Sequence, residues 1–527
     1  MYHVRERQVV VIQQLPSFLW RLKGGNLMKV FSKEKQVSYA GEQRFAYRLL
    51  ALFLAAIMVC GMCQGIQAQA ADGDFLIEDG VLLEYRGTKS KLTIPKTVTE
   101  IGERAFVGAT GLKSVTIPKN VTRIGNYAFS GCSKLKEITI PKTVTEIGAA
   151  AFSETVWLKN KQKKNPLVVV NKILVDGTTA KGTVTVPKSV TKIAGEAFAA
   201  NKKITGVTIP KGVTAIGDKA FSGCSKLKSI RINKTVITVG SEVFSGTSWL
   251  KAQQKKNPLV VVNKVLVDGR TAKGTTTIPK GVAYIADAAF LECTKLKSVT
   301  LPSGLKKIGD NAFSGCSSLK SITVPKGVKE IGKKTFADCS SLKTVKLPEG
   351  MTKIGQSAFS HCKIEKLTIP KTVTELGDSA FLGCALLKSV AIPEGVTKIG
   401  NHTFEGCTAL KTITLPKSLT VIELGAFSEC KGLESITIPE GVSVIPNSVF
   451  SECRNLKTVV VSEGVTTIED YAFSFCTALE SITIPESVTM IGESAFYVGN
   501  EAMVIYGAEG SAAQSYAEAQ GYSFEVQ

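Results

Sequence analysis

Histidine is nearly missing from this chain. It occurs three times in 527 residues, and beyond residue 70 only as His361 and His402, which fall in different copies of a repeated pattern. Zinc sites and Ser–His or Cys–His nucleophiles draw on imidazole, and no zinc-ligand spacing, phosphate-binding glycine loop or nucleophile elbow is present. Tryptophan is equally sparse, at 3 residues, and all aromatics together make up 7%. That leaves little for the interleaved stacking platforms of single-strand nucleic-acid binders. Carboxylates are plentiful, but none departs from the repeat pattern, as catalytic pairs usually do. No catalytic residue, cofactor or metal site is expected, and no specific nucleic-acid partner.

Long apolar runs are also lacking, with one exception. Leu49–Met62, LLALFLAAIMVCGM, follows Arg44 and Arg48 and precedes the small-x-small stretch Ala68–Ala70. A basic flank, a short apolar core and small residues read as a secretory signal peptide, and the run is short for a membrane span. Residues 1–70 are therefore expected to form a leader cleaved after Ala70. Translation is expected to start at Met28, because Lys23-Gly24-Gly25 can be encoded by a purine-rich ribosome-binding sequence. The exported chain then has no membrane span.

Acidic residues are scarce in one half only. Residues 71–280 hold 34 Lys+Arg against 15 Asp+Glu, and residues 281–527 hold 22 against 26. The positive excess is thus confined to the first half, and such polarity speaks to partners rather than fold.

What the chain has in abundance is repetition. An [IVL]P dipeptide recurs at Ile94, Ile117, Ile140, Val186, Ile209, Ile278 and onward to Ile484, with Ile232 and Val461 filling the same slot without the proline, in steps of 23 residues almost everywhere, and a phenylalanine keeps the same beat from Phe106 to Phe496. The unit reads L-K-x-I-T-I-P-K-x-V-T-x-I-G-x-x-A-F-x-x-C. Its SVTIP portion alternates apolar and polar residues, the period of a strand, and proline ends that strand by removing a ladder donor. The IGxxAFxxC portion has helix-like spacing over too few residues for a full helix, and a turn with a short α or 3₁₀ segment is expected. One unit cannot bury its own apolar residues, but stacked units can. The expected product is a solenoid with a parallel sheet along one face.

The repeat LKSITIPKGVTxIGxxAFxGC resembles that of the BspA-type leucine-rich repeat family of bacterial surface proteins. The resemblance covers nearly all of the chain beyond the leader. It implies a leucine-rich-repeat solenoid of α/β type with short helical or 3₁₀ segments, and an adhesin-like, non-enzymatic role at the cell surface or in secreted form. The expected organisation is a leader at 1–70, an N-terminal hairpin cap at 71–90, a solenoid at 91–502 and an αβ C-terminal cap at 503–527. In that last cap Ser511 starts the helix.

Two near copies, WLKNKQKKNPLVVVNKILVDG from Trp157 and WLKAQQKKNPLVVVNKVLVDG from Trp249, interrupt the beat. At 157–177 and 249–269 they read as basic segments followed by hairpins (Leu167–Val170 with Ile173–Val175 in the first), and as modules projecting from the solenoid. The opening FLIEDGVLLEYRG has the same hairpin shape.

Eleven cysteines, from Cys132 to Cys476, all stand three residues after the repeat phenylalanine, and Ala109, Thr155, Asn201, Thr247 or Gly499 replace them elsewhere. Small replacements and parallel Cβ vectors favour a packed ladder of free thiols over disulfides. Outward strand positions form a hydroxyl-rich face with threonine rows, including Thr116, Thr139 and Thr208, interrupted by Arg231. The residue after the proline is lysine through the first half, as at Lys119, Lys142, Lys211 and Lys234, and then turns partly acidic. Lys159, Lys161, Lys163, Lys164, Lys251, Lys255 and Lys256 of the two modules, with Trp157 and Trp249, complete the candidate binding surface. The expected partner is an extracellular protein or glycan. An anionic wall polymer docked on the basic half is the second expectation, and a glycan-active enzyme using paired carboxylates is a remote third.

Overall fold

The computed structural model describes residues 73–527; the expected leader and its cleavage site lie outside them. Each coil follows the chemistry of its unit. Around Phe129, strand Ser114–Thr116 pairs in parallel with Lys91–Thr93 before it and Glu137–Thr139 after it. Val115 points into the core and Thr116 to solvent, as strand alternation requires. Pro118 then turns the chain, its carbonyl accepting from the Val121 N–H at 3.1 Å.

A second, two-residue strand follows, which the sequence reading did not foresee. Arg123–Ile124 pairs in parallel with Glu100–Ile101 and Glu146–Ile147. The solenoid thus carries two parallel ladders rather than one sheet.

The expected 3₁₀ or α segments are replaced by turns. Tyr127 (φ 54°) and Gly131 (φ 76°) are left-handed and flank Phe129. Left-handed residues four apart break any run of helical bonds. The N–H groups of Tyr127, Phe129 and Gly131 instead reach the next coil, donating to the carbonyls of Ala149, Ala151 and Ser153 at 2.8, 2.8 and 3.1 Å. The turn edge is therefore a third set of inter-coil bonds, which satisfies backbone groups that would otherwise be orphaned.

Inside, the repeat phenylalanines stack in offset columns, with centroids 4.6 Å apart for Phe106–Phe129 and 5.4 Å for Phe313–Phe336. The eleven cysteines are free and buried, as the spacing implied.

The two modules do not project; this corrects the sequence expectation. The opening hairpin, Phe75–Glu78 with Val81–Tyr85, sends its second strand into the two-residue ladder, Val81 opposite Glu100. Hairpins Val168–Val170 with Ile173–Asp176, and Val260–Val262 with Val265–Asp268, do the same through Ile173–Lys192 and Val265–Tyr284. Each is an N-terminal cap placed in line, so the solenoid starts three times. The first two runs each end in a helix, α1 (Val156–Lys164) and α2 (Ser248–Lys256), whose N-caps are Thr155 and Thr247. Trp157 packs on Phe152 and Trp249 on Phe244, both at 4.8 Å, so each indole ends a phenylalanine column.

Both β ladders restart at each junction. The gap is bridged by side chains: Asn171 Nδ2 donates to the carbonyls of Pro141 and Val144 at 2.7 and 3.0 Å, and Asn263 Nδ2 to those of Asn233 and Val236 at 3.1 and 3.0 Å. The apolar core divides at the first junction, one cluster running from Phe75 to Ala194 and the other from Leu174 to Ala517; at the second junction it is continuous. The C-terminal cap is as expected: strand Val504–Gly507, helix α3 (Ala512–Gln520) capped by Ser511, and strand Ser523–Val526 beside the last coil.

Candidate binding surfaces

The cysteine slot is more than a matter of volume. Each cysteine Sγ lies within donor range of a carbonyl of the preceding coil, as Cys132 to Phe106 at 3.3 Å and Cys430 to Phe404 at 3.2 Å. Where the slot is not cysteine, several substitutes also donate: Asn201 to Gly177 and Ala180, and Thr155 and Thr247 to the phenylalanine carbonyl of their own coil. Burial pushes the thiols up, Cys132, Cys384 and Cys476 each to about 12. A protonated, enclosed thiol is neither a nucleophile nor a metal ligand. Among the described residues no group of three or more His, Cys, Asp or Glu side chains is arranged to hold a metal ion.

The three-residue strands present the threonine rows. Thr116 and Thr139 are exposed there, and Thr208 is half-buried. Lys119, Lys142, Lys211 and Lys234 are exposed beside them, as is Arg231 within the row. Consecutive coils stack these lysines about 4.8 Å apart, a like-charge arrangement that costs stability when uncompensated. Among the described residues, none of Lys96, Lys113, Lys119, Lys136, Lys142, Lys188, Lys211, Lys228 and Lys234 belongs to an ion pair.

The two-residue ladder treats its cations differently. Arg123 reaches Glu100 at 2.9 Å and Glu146 at 3.8 Å, Lys353 reaches Glu375 at 2.7 Å, and Lys398 reaches Glu423 at 2.6 Å. Among the described residues the threonine face of the first half therefore carries a row of exposed lysines outside any ion pair, as do α1 and α2.

The module residues divide. Lys159, Lys161, Lys163 and Lys164 on α1, and Lys251, Lys255 and Lys256 on α2, are exposed. Trp157 is buried and Trp249 is half-buried in the column ends, so the indoles serve packing rather than a free surface. Lys161 Nζ sits 5.6 Å from the Trp157 ring centre, a cation–π contact that covers the ring. Gln162 of α1 donates to buried Asp176 at 2.8 Å, and Gln254 of α2 to Asp268 at 2.9 Å, fastening each helix to its hairpin.

The sequence reading missed a groove of about 660 Å³ along the two-residue ladder, lined by residues from Asn126 to Gly309. At one end Tyr127 donates to Glu196 at 2.5 Å, with Arg104 over its ring at 5.3 Å. Burial and this bond raise the Tyr127 phenol to about 12. Nearer the other end, burial raises the Asp287 carboxyl. Only the small residues Ala215 and Thr238, in a row otherwise rich in long charged side chains, could have signalled the groove.

Comparison with known proteins gives a consistent picture. The family described as BspA type leucine rich repeat region (6 copies) matches residues 84–205, 169–263, 273–388 and 375–501. Similar solved structures include a leucine-rich repeat protein from Bacteroides ovatus, 25% identical with a TM-score of 0.39, the match covering 84% of this chain and 97% of that one. A leucine-rich cell surface protein from Faecalibacterium prausnitzii is 24% identical with a TM-score of 0.28, covering 76% and 96%. No curated protein matches the sequence.

Proposed function

Because this chain belongs to the BspA-type leucine-rich repeat family, a solenoid architecture of bacterial surface-protein type, we propose that it works at the cell surface or in secreted form as an adhesin-like binding protein. Its ligand is an anionic glycan held on the threonine face of residues 91–280. The observation that carries this reading is the sorting of charge between faces. Lysines on the two-residue ladder are neutralised by neighbouring carboxylates, as Lys353 is by Glu375. Lysines on the threonine face of the first half stand exposed and without ion pairs. Unpaired cations on a rigid, pre-formed surface attract a polyanion and steer its approach. Hydroxyl rows between them supply hydrogen bonds at little ordering cost. The cell-surface name of the Faecalibacterium relative agrees with a surface location. No helix among the described residues is long and apolar enough to cross a membrane. The exposed lysines of the basic face also suit an anionic wall polymer. That second reading uses the same contacts.

The test is binding to dextran sulfate, with neutral dextran as control. K119Q/K142Q/K211Q is expected to lower affinity by about threefold to a hundredfold, since exposed charge contacts contribute roughly 0.2–1 kcal/mol each. K353Q/K398Q, on the other ladder, is expected to leave it unchanged. Equal losses in both variants, or equal binding to neutral dextran, would refute the reading.

A further inference from the structure

The groove on the two-residue ladder lies where a rail of side chains is interrupted. In most coils of the described chain the outward residue of this ladder is long or charged: Glu100, Arg123, Glu146 and Lys192 before the gap, then Lys307, Glu330 and Lys353 after it. In the second run the row holds Ala215 and then Thr238, paired directly with each other. The missing bulk opens the groove of about 660 Å³, within the size range of small-ligand sites. From Lys192 to Lys307 it spans five coil steps, roughly 24 Å.

Its lining is chemically mixed. Ile237 and Tyr284 are 58% and 36% exposed, so an aliphatic and an aromatic side chain stand in solvent at the gap. Asp218 and Asp287 each spend one oxygen on a backbone N–H of the next coil, those of Ser241 and Asp310, both at 2.8 Å. The second oxygen of each has no hydrogen-bond partner among the described residues. The lysines of the lining, Lys192, Lys219 and Lys307, each stand near a carboxylate, Glu146 at 3.7 Å, Glu242 at 3.8 Å and Glu330 at 3.9 Å, and are so partly neutralised.

We propose that this gap is a second binding site, for a short neutral oligosaccharide. An aromatic ring offers its face to the C–H side of a pyranose, and carboxylate oxygens accept from sugar hydroxyls in charge-assisted bonds. Asp218 and Asp287 repel a polyanion, so the groove and the threonine face select different ligands. The groove is open and elongated, which suits a chain of sugars better than a compact metabolite. The site is independent of the proposed anionic-glycan surface.

The experiment is titration calorimetry of the full chain with maltotetraose, cellotetraose and chitotetraose. At least one is expected to bind, Tyr284→Ala to weaken it about tenfold, and A215K/T238E to abolish it by restoring the rail. The restored pair occurs naturally elsewhere, as Lys353–Glu375, so this variant keeps the fold; an unchanged melting temperature and unchanged dextran sulfate binding verify that. No binding by any of the three sugars, binding that survives A215K/T238E, or displacement of the sugar by dextran sulfate would each overturn the proposal. A basic peptide that outcompetes all three sugars would also overturn it. Loss of dextran sulfate binding in K119Q/K142Q/K211Q with sugar binding intact separates the two sites.

Discussion

A cysteine buried in a stacked core is governed by one requirement, that its proton stay on. The S–H of Cys384 or Cys476 needs no water, whereas a thiolate there would be a buried, uncompensated charge. Burial accordingly lifts both from 9.0 to about 12. Raised folded-state values fix the sign of the pH dependence. An unfolded chain loses these protons near pH 9 and the folded chain keeps them to about 12, so the unfolded state binds fewer protons across that window. Stability is therefore fully present below pH 9 and falls as pH rises toward 12. Melting temperatures measured from pH 7 to 11 are expected to drop steeply above pH 9, and C407A/C430A is expected to flatten the drop. At neutral pH each of these substitutions costs about 1–2 kcal/mol through lost volume and a lost donor. A native chain whose eleven ladder thiols react promptly with iodoacetamide at pH 8 would contradict this. The burial of these residues was legible in their 23-residue phase. Their donor role was not, because it depends on a carbonyl 26 residues away, as Cys132 on Phe106.

At the scale of elements, the hairpins and helices decide how the molecule comes apart. A coil stacks on its neighbour through ladders and shared apolar residues, but at the first hairpin the ladders stop, and the core divides just beyond it, after Val168, Ile173 and Val175 of the hairpin have joined the first cluster. Asn171 carries two of the bonds that cross that junction. Asn171→Ala is expected to cost about 1–2 kcal/mol, since two part-buried acceptors lose their donor. In native-state hydrogen exchange, strands from Phe75 to Ile147 are expected to open as a unit separate from those beyond Gly182, more readily in the variant. Uniform protection across the junction would rule this out. The hairpins were readable as paired apolar runs around DG and NK turns. Their in-line placement was not, because it rests on tertiary pairing of Ile173 with Lys192 and Val265 with Tyr284. The turns were misread for a related reason. The spacing of Ile, Ala and Phe mimics a helix, while left-handed residues such as Tyr127 and Ala150 redirect the N–H groups to the next coil.

At the scale of the whole molecule, a repeat gives one side chain the same neighbour many times over, so each face acquires its own character. The threonine and lysine rows were visible in the sequence, whereas the pairing of the other ladder's cations was not, because it needs three-dimensional register between coils. The groove also escaped notice, since Ala215 and Thr238 matter only as gaps in that register. The central claim is that the unpaired lysines of the threonine face meet an anionic glycan. The most direct measurement is lysine acetylation followed by mass spectrometry, with and without dextran sulfate. The account predicts protection of Lys96, Lys119, Lys142, Lys188, Lys211 and Lys234, with Lys307, Lys353 and Lys398 acetylated at unchanged rates. Protection spread evenly over both sets, or confined to the second, would contradict it.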